Sequence, residues 1–131
     1  MKKVLDFLAA NPVFQLATNA GGQPRCRPFG FHMVQDGRLY FITGEHKDVC
    51  RQLRANPLFE LSVSDADGRY LRLRGSAVFD ARPELLEKAF AAMPLLRDIY
   101  GPGGAKAAMF YADKAEAVLA DMRGNSETVK L

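Results

Sequence analysis

Cysteine and histidine are scarce in this sequence, and their positions exclude several kinds of site. Cys26 and Cys50 are the only two cysteines, and they lie too far apart for a Cys-x-x-Cys redox or zinc motif. The two histidines, His32 and His46, have no carboxylate or thiol at metal-ligand spacing. We therefore predict no metal site and two reduced, mostly buried thiols.

Long apolar runs are also missing. The longest ones, such as residues 39–42, are far shorter than the roughly 20 residues that a membrane helix needs. Asp6 interrupts the apolar N-terminal stretch that a signal peptide would require. These absences predict that no segment spans a membrane and that the protein is cytoplasmic.

The motifs of several common enzyme classes are absent as well. The sequence contains no Gly-x-Ser-x-Gly, His-Glu-x-x-His, Gly-x-x-x-x-Gly-Lys-Ser/Thr or Gly-x-Gly-x-x-Gly. These motifs build nucleophile elbows, zinc sites and phosphate-binding loops. The chain is therefore not an obvious hydrolase or nucleotide kinase.

Length and composition are those of one globular domain. Of the 131 residues, 48% are hydrophobic and 25% are charged, so we predict a single domain over residues 1–131. The 18 Lys and Arg exceed the 15 Asp and Glu, which gives a net charge of +3. This excess is compatible with a nucleic-acid surface, with an anionic small ligand, or with neither.

Changes in hydrophobic period and the positions of turn residues predict an α+β fold. Apolar residues at helical spacing, bounded by proline, predict helices over residues 2–10, 46–55 and 84–93. Segments between turn residues predict strands over residues 13–19, 24–34, 38–43, 58–64, 69–80, 107–111, 115–122 and 127–131. Gly75 marks a bulge or a close backbone approach. Because the turns are tight, we expect a mostly antiparallel, barrel-like sheet.

One group of basic residues lies where the chain can build an anion site. Arg25 and Arg27 point to the same face of a strand, and Pro28 requires an edge position or a neighbour other than a strand. After the next hairpin, Thr43 ends a strand and Lys47 begins a helix. A helix start, a hydroxyl and an ammonium group can together bind a dianion. The pattern is equally compatible with solvated arginines and a threonine that only caps the helix.

The same residues carry a resemblance to a known family. Arg-Cys-Arg-Pro-Phe-Gly-Phe at 25–31, the hairpin at 35–43, and Lys47 followed by Asn-Pro at 56–57 resemble the pyridoxamine 5′-phosphate oxidase-like FMN-binding split-barrel family. The resemblance is strongest over residues 11–80. It implies an antiparallel six-stranded split β-barrel with flanking helices, and a homodimer that binds two FMN molecules at the subunit interface.

The resemblance also implies which residues hold the cofactor. Arg25 and Lys47 would contact the FMN phosphate, with a hydroxyl supplied by Thr43. The other positions that it implies, along the flavin and ribityl chain or beside the phosphate turn, are Arg27, Pro28, Phe29, Phe41, Ile42 and His46. No residue of the sequence stands out as a general acid or base, so the catalytic residues stay unassigned.

The function that the resemblance implies is an FMN-dependent oxidoreductase acting on a small molecule. The chain contains no Arg-x-His triplet, a substrate motif of true pyridoxamine phosphate oxidases, so vitamin B6 oxidation is disfavoured. The alternative is a non-catalytic flavin, haem or deazaflavin binder, in which only His32 or His46 could ligate haem iron. A nucleic-acid module is disfavoured because the aromatic residues fit a core at strand spacing.

Overall fold

The computed structural model, which describes residues 1–131, contains one sheet of eight strands. The strands are β1 (Phe14–Ala20), β2 (Gln23–Phe29), β3 (Met33–Gln35), β4 (Arg38–Gly44), β5 (Leu58–Ser64), β6 (Tyr70–Phe79), β7 (Ala107–Ala120) and β8 (Ser126–Lys130). Their order is β2-β1-β5-β6-β7-β4-β3, with β8 paired to β7, and all pairs are antiparallel. Six strands have at least seven residues, and β3 and β8 are shorter. The predicted α+β class with a large antiparallel sheet is confirmed.

The connection between β2 and β3 determines the shape of this sheet. These two strands are the two ends of the strand order, yet only residues 30–32 connect them. Such a connection spans roughly 14 Å even when it is fully extended. The sheet must therefore curl until its edges approach one another without pairing, which is the geometry of a split barrel. Pro28 lies on the edge strand β2, as its position in the sequence predicted.

Four helices accompany the sheet. They are α1 (Lys2–Ala10), α2 (Asp48–Ala55), α3 (Pro83–Ala92) and α4 (Leu95–Tyr100). Proline bounds them because its ring nitrogen has no hydrogen to donate inside a helix: Asn-Pro follows α1 and α2, and Pro83 is the first residue of α3. None of the four combines the length and the apolarity that crossing a membrane requires.

Two apolar clusters lie on opposite faces of β4. The larger one fills the barrel and contains 18 buried residues, including Leu39 and Phe41. The smaller one contains nine buried residues, including Tyr40 and Ile42, together with side chains from α3 and α4. Because side chains alternate along a strand, β4 is buried on both faces. It therefore attaches the α3–α4 layer to the barrel.

Some predicted strands differ from the structure. The strand predicted over residues 24–34 is interrupted because the chain crosses there from one sheet edge to the other. The strands predicted over residues 107–111 and 115–122 are one long strand, β7, which is held by β4 on one side and by β6 on the other. The β6–β7 register shifts at Gly75, so the predicted bulge is confirmed.

The two cysteines are free thiols in different environments. Cys50 is buried in α2, whereas Cys26 is exposed on β2. The prediction of two buried thiols is therefore wrong for Cys26. The reason is that β2 is an edge strand with β1 as its single neighbour, and little of the chain covers it.

A hydrogen-bonded carboxylate connects the end of β6 to β4. Asp80 accepts a hydrogen bond from the Tyr40 hydroxyl at 2.8 Å and pairs with the Arg82 guanidinium at 3.0 Å. The Asp80 side chain is 14% exposed. The hydrogen bond from Arg82 is the main reason that the pKa of Asp80 falls to about 2.

We predict that Asp80→Asn lowers the free energy of unfolding at pH 7 by on the order of 1–2 kcal/mol. Because the carboxyl pKa is lower in the folded chain, its stabilisation is present above the unfolded value near 4 and is lost as the pH falls towards 2. Urea unfolding from pH 7 to pH 2 should show the difference from wild type becoming steadily smaller as the pH falls. Asp67→Asn, in an exposed turn, is the control, and a difference that does not change with pH would contradict this account.

Candidate functional site

A cavity of about 360 Å³ lies beside the connection between the two barrel edges. Its walls come from the end of β2 and the following residues, the end of β4, the start of α2, and α4. These segments are distant in the sequence, and the curling of the sheet brings them together. The cavity has a polar side and an apolar side.

The start of α2 forms part of the polar side. Lys47 is the N-cap residue and no side chain caps the helix, so amide hydrogens of the first turn stay open to a ligand. Thr43, at the end of β4, lines the cavity although it is only 2% exposed. The nearby carboxylate of Glu45 pairs with Arg54 at 2.5 Å. This acidic residue therefore does not neutralise Lys47.

Arg27 brings a second positive charge to the cavity. Its guanidinium donates hydrogen bonds to the Gln52 amide oxygen (2.6 Å), the Thr18 hydroxyl (2.9 Å), and the backbone oxygens of Leu16 (3.2 Å) and Arg25 (3.5 Å). All four acceptors are neutral. Burial lowers the pKa of Arg27, but a guanidinium remains charged in proteins. The cavity thus has two cations that no carboxylate of the chain pairs with.

The opposite side of the cavity is apolar. It is lined by Phe29, Phe31, Ile42, Val49, Met93, Leu95, Leu96, Ile99 and Tyr100. Tyr100 is 8% exposed, and burial is the cause that raises the pKa of its hydroxyl. No hydrogen bond within the chain engages this hydroxyl, which is therefore a free donor at an otherwise apolar wall.

Most of the cofactor-binding residues predicted from the sequence meet in this cavity. Its lining includes Arg27, Pro28, Phe29, Ile42, Thr43 and Lys47. Arg25 is exposed on β2 and does not line the cavity. His46 is also exposed and outside it. The His46 ring covers the backbone of Gly44 so closely that a Cβ on that glycine would lie 2.6 Å from it.

Phe41, which the resemblance places just before the phosphate turn, does not line the cavity. Its ring lies inside the barrel, with ring centroids 5.5 Å from Phe14, 6.0 Å from Phe59 and 5.5 Å from Phe110. Ile42 lies on the opposite face of β4 and lines the cavity, whereas the Phe41 ring is packed among the aromatic rings of the barrel interior. Residues 39–42 are all apolar, so the sequence does not reveal which of their side chains point into the barrel and which point towards the α3–α4 layer.

The residues that the sequence did not reveal belong mainly to α4. In the sequence this helix is a short segment between Pro94 and a glycine-rich stretch, with no recognisable motif. The only sequence pattern that points to α4 is the helical spacing of Leu96, Ile99 and Tyr100, which predicts that one face of this helix is buried. The spacing does not say which surface that face covers.

Comparison of the sequence with known protein families identifies the family of this chain. Residues 1–119 match the sequence profile of the family described as pyridoxamine 5′-phosphate oxidase. The chain belongs to the pyridoxamine 5′-phosphate oxidase-like family. The resemblance predicted from residues 25–57 is thereby confirmed. No curated protein matches the sequence.

Solved structures share the fold of this pyridoxamine 5′-phosphate oxidase-like chain. A NimC/NimA family protein from Clostridium acetobutylicum is 38% identical, with a TM-score of 0.92 over 100% of this chain and 92% of the other. A pyridoxamine 5′-phosphate oxidase-related, FMN-binding protein from Nostoc punctiforme is 15% identical, with a TM-score of 0.64 over 99% and 95%. A haem-binding protein from Mycobacterium smegmatis is 17% identical, with a TM-score of 0.68 over 93% and 54%. The last two likenesses show the fold alone.

Two buried tyrosines of the smaller cluster give a matched test of the free hydroxyl. Tyr40→Phe removes a hydroxyl that bonds Asp80 and Arg82, and we predict a loss of about 1–2 kcal/mol in the free energy of unfolding. Tyr100→Phe removes a hydroxyl with no partner, and we predict a change within about 0.5 kcal/mol. Urea unfolding at pH 7 measures both changes. Equal losses would contradict the assignment of a free Tyr100 hydroxyl.

Proposed function

We propose that the chain binds FMN in this cavity and acts as an oxidoreductase on a small molecule. The observation that carries the proposal is the division of one cavity into two sides. One side has Arg27 and Lys47, which no acidic residue pairs with, and the other is a continuous apolar wall. FMN has the matching division, because a dianionic phosphate and a flat, largely apolar ring system lie at its two ends.

The proposed phosphate site is formed by the polar side of the cavity. Lys47 and Arg27 supply charge-assisted hydrogen bonds, which are stronger than neutral ones. Thr43 supplies a hydroxyl, and the uncapped start of α2 supplies amide hydrogens and the positive end of the helix dipole. Arg25 has no place in this arrangement within one chain, since it lies outside the cavity.

The flavin ring system belongs against the apolar wall. When it is bound, the flavin supplies the redox chemistry, and the protein supplies its position, the surrounding electrostatics and the exclusion of water. Phe29, Ile42 and Leu96 exclude water from the ring. The Tyr100 hydroxyl can donate a hydrogen bond to an acceptor atom of flavin or substrate. No Asp, Glu or His lines the cavity, so we assign no catalytic base within the chain.

Haem binding on the same fold has less support. Haem iron needs an axial ligand such as a histidine, and neither His32 nor His46 lines the cavity. Burial lowers the pKa of His32, but this side chain is on the connection between the barrel edges and outside the cavity. No group of three or more His, Cys, Asp or Glu side chains is placed to hold a metal ion.

We predict that the purified protein binds FMN more tightly than riboflavin, which lacks the phosphate. Lys47→Ala should weaken FMN binding about tenfold or more, because a hydrogen bond from a charged group is lost, and should leave riboflavin binding within about twofold. Quenching of flavin fluorescence measures both affinities. Lys130→Ala, which removes an exposed lysine of β8, should change neither. Equal affinities of the wild type for the two flavins would refute the phosphate site.

A second copy of the chain is proposed to complete the site, as the family resemblance implies. The cavity of about 360 Å³ is near the low end of the range for small-molecule sites. Two side chains of its apolar wall are unusually exposed for their type, Leu95 at 61% and Ile99 at 43%. A homodimer that buries these side chains would enclose the flavin between its two subunits.

The dimer proposal is tested by light scattering of the purified protein. We expect a mass of twice the single chain, and we expect Leu95→Glu to shift the protein towards monomer and to weaken FMN binding, because a buried charge without a partner is costly. Met122→Glu introduces the same charge at another exposed apolar residue, 80% exposed, and should change neither property. A wild-type monomer that binds FMN would refute the proposal.

A further inference from the structure

Three side chains beside the cavity form a closed hydrogen-bonded triangle. Arg27 donates to the Thr18 hydroxyl at 2.9 Å and to the Gln52 amide oxygen at 2.6 Å, and the Thr18 hydroxyl donates to the same amide oxygen at 2.6 Å. Thr18 is 5% exposed. The guanidinium is therefore held on two sides, by β1 and by α2.

The orientation of the Gln52 amide follows from its partners. A guanidinium has donors and no acceptor, so the atom that faces it must be the amide oxygen. The Thr18 hydroxyl already accepts from Arg27 and donates its single hydrogen to the same oxygen. Gln52 thus acts as a double acceptor, and it does so without a negative charge.

We propose that Gln52 is a positioning residue that fixes Arg27 while leaving its charge available for the phosphate of FMN. This inference rests on the proposed function. A carboxylate partner would pair with this partly buried guanidinium and would cancel the field that attracts an anion. Here every acceptor of the Arg27 guanidinium is neutral. The Arg27 guanidinium is held by short hydrogen bonds, as it would be in an ion pair, but it keeps its charge of +1 because its acceptors are neutral.

The position of Gln52 in the fold adds a second role. Gln52 is on α2, and Lys47 is the N-cap of the same helix. Through Gln52, the helix that presents Lys47 is tied to the strand that presents Arg27. The two cations are thereby held at a fixed separation before any ligand binds, which lowers the ordering cost of binding.

The test compares FMN with riboflavin in the wild type and three variants, so that only the phosphate contribution is measured. We expect Gln52→Glu to lower FMN affinity about tenfold or more, because the new carboxylate pairs with Arg27, and to leave riboflavin affinity within about twofold. Gln52→Ala keeps the charge of Arg27 but removes an anchor, so its FMN affinity should fall between those of the wild type and Gln52→Glu. Gln35→Glu makes the same chemical change on β3, at the end of β4 that is far from Thr43, and should change neither affinity.

Each outcome bears on the inference. A selective loss of FMN affinity in the order wild type, Gln52→Ala, Gln52→Glu supports it. An FMN preference in Gln52→Glu equal to that of the wild type overturns it and leaves the proposed function intact. A parallel loss of riboflavin affinity, with a lower thermal unfolding midpoint, also overturns it, because Gln52 would then serve folding. A wild-type protein that binds neither flavin overturns the proposed function, and the inference with it.

Discussion

The short connection at residues 30–32 is the constraint on which the architecture depends. It joins the two edge strands of an eight-stranded sheet, so the sheet has to curl and its edges have to meet. Pro28 lacks an amide hydrogen for pairing, which helps to keep the meeting edges apart. The cavity lies at this place, and its lining includes residues of the connection, of the edge strand β2 and of β4.

The chemistry of the site follows from how its charges are held. Glu45 is engaged by Arg54, and Arg27 is held by neutral oxygens, so no carboxylate of the chain forms an ion pair with Arg27 or Lys47. Arg27 is only partly buried and Lys47 is exposed, so both charges are accessible to an anionic ligand. The apolar wall from α4 restricts that ligand to one with a large apolar portion. These two requirements together favour a flavin phosphate over inorganic phosphate or a nucleic acid.

Sequence reasoning succeeded where short-range rules decide the outcome. The helix ends at Asn-Pro, the edge position of Pro28, the bulge at Gly75 and the strand-to-helix junction between Thr43 and Lys47 all depend on a few neighbouring residues. Sequence reasoning did not succeed where a strand is buried on both of its faces. The run 39–42 is buried on both faces, so alternation could not reveal that Phe41 belongs to the barrel. The covering of the cavity by α4 is a tertiary contact between distant segments, and no local pattern encodes it.

The central claim is that two cations without acidic partners hold a dianionic phosphate in this cavity. The most direct measurement is the ³¹P NMR spectrum of FMN bound to the protein, recorded from pH 8 to pH 5. A free phosphate monoester gains a proton with a pKa near 6, and nearby positive charges lower that value. The account predicts a bound phosphorus resonance that stays at its dianion position across this range. A bound resonance that titrates near pH 6, as free FMN does, would contradict it.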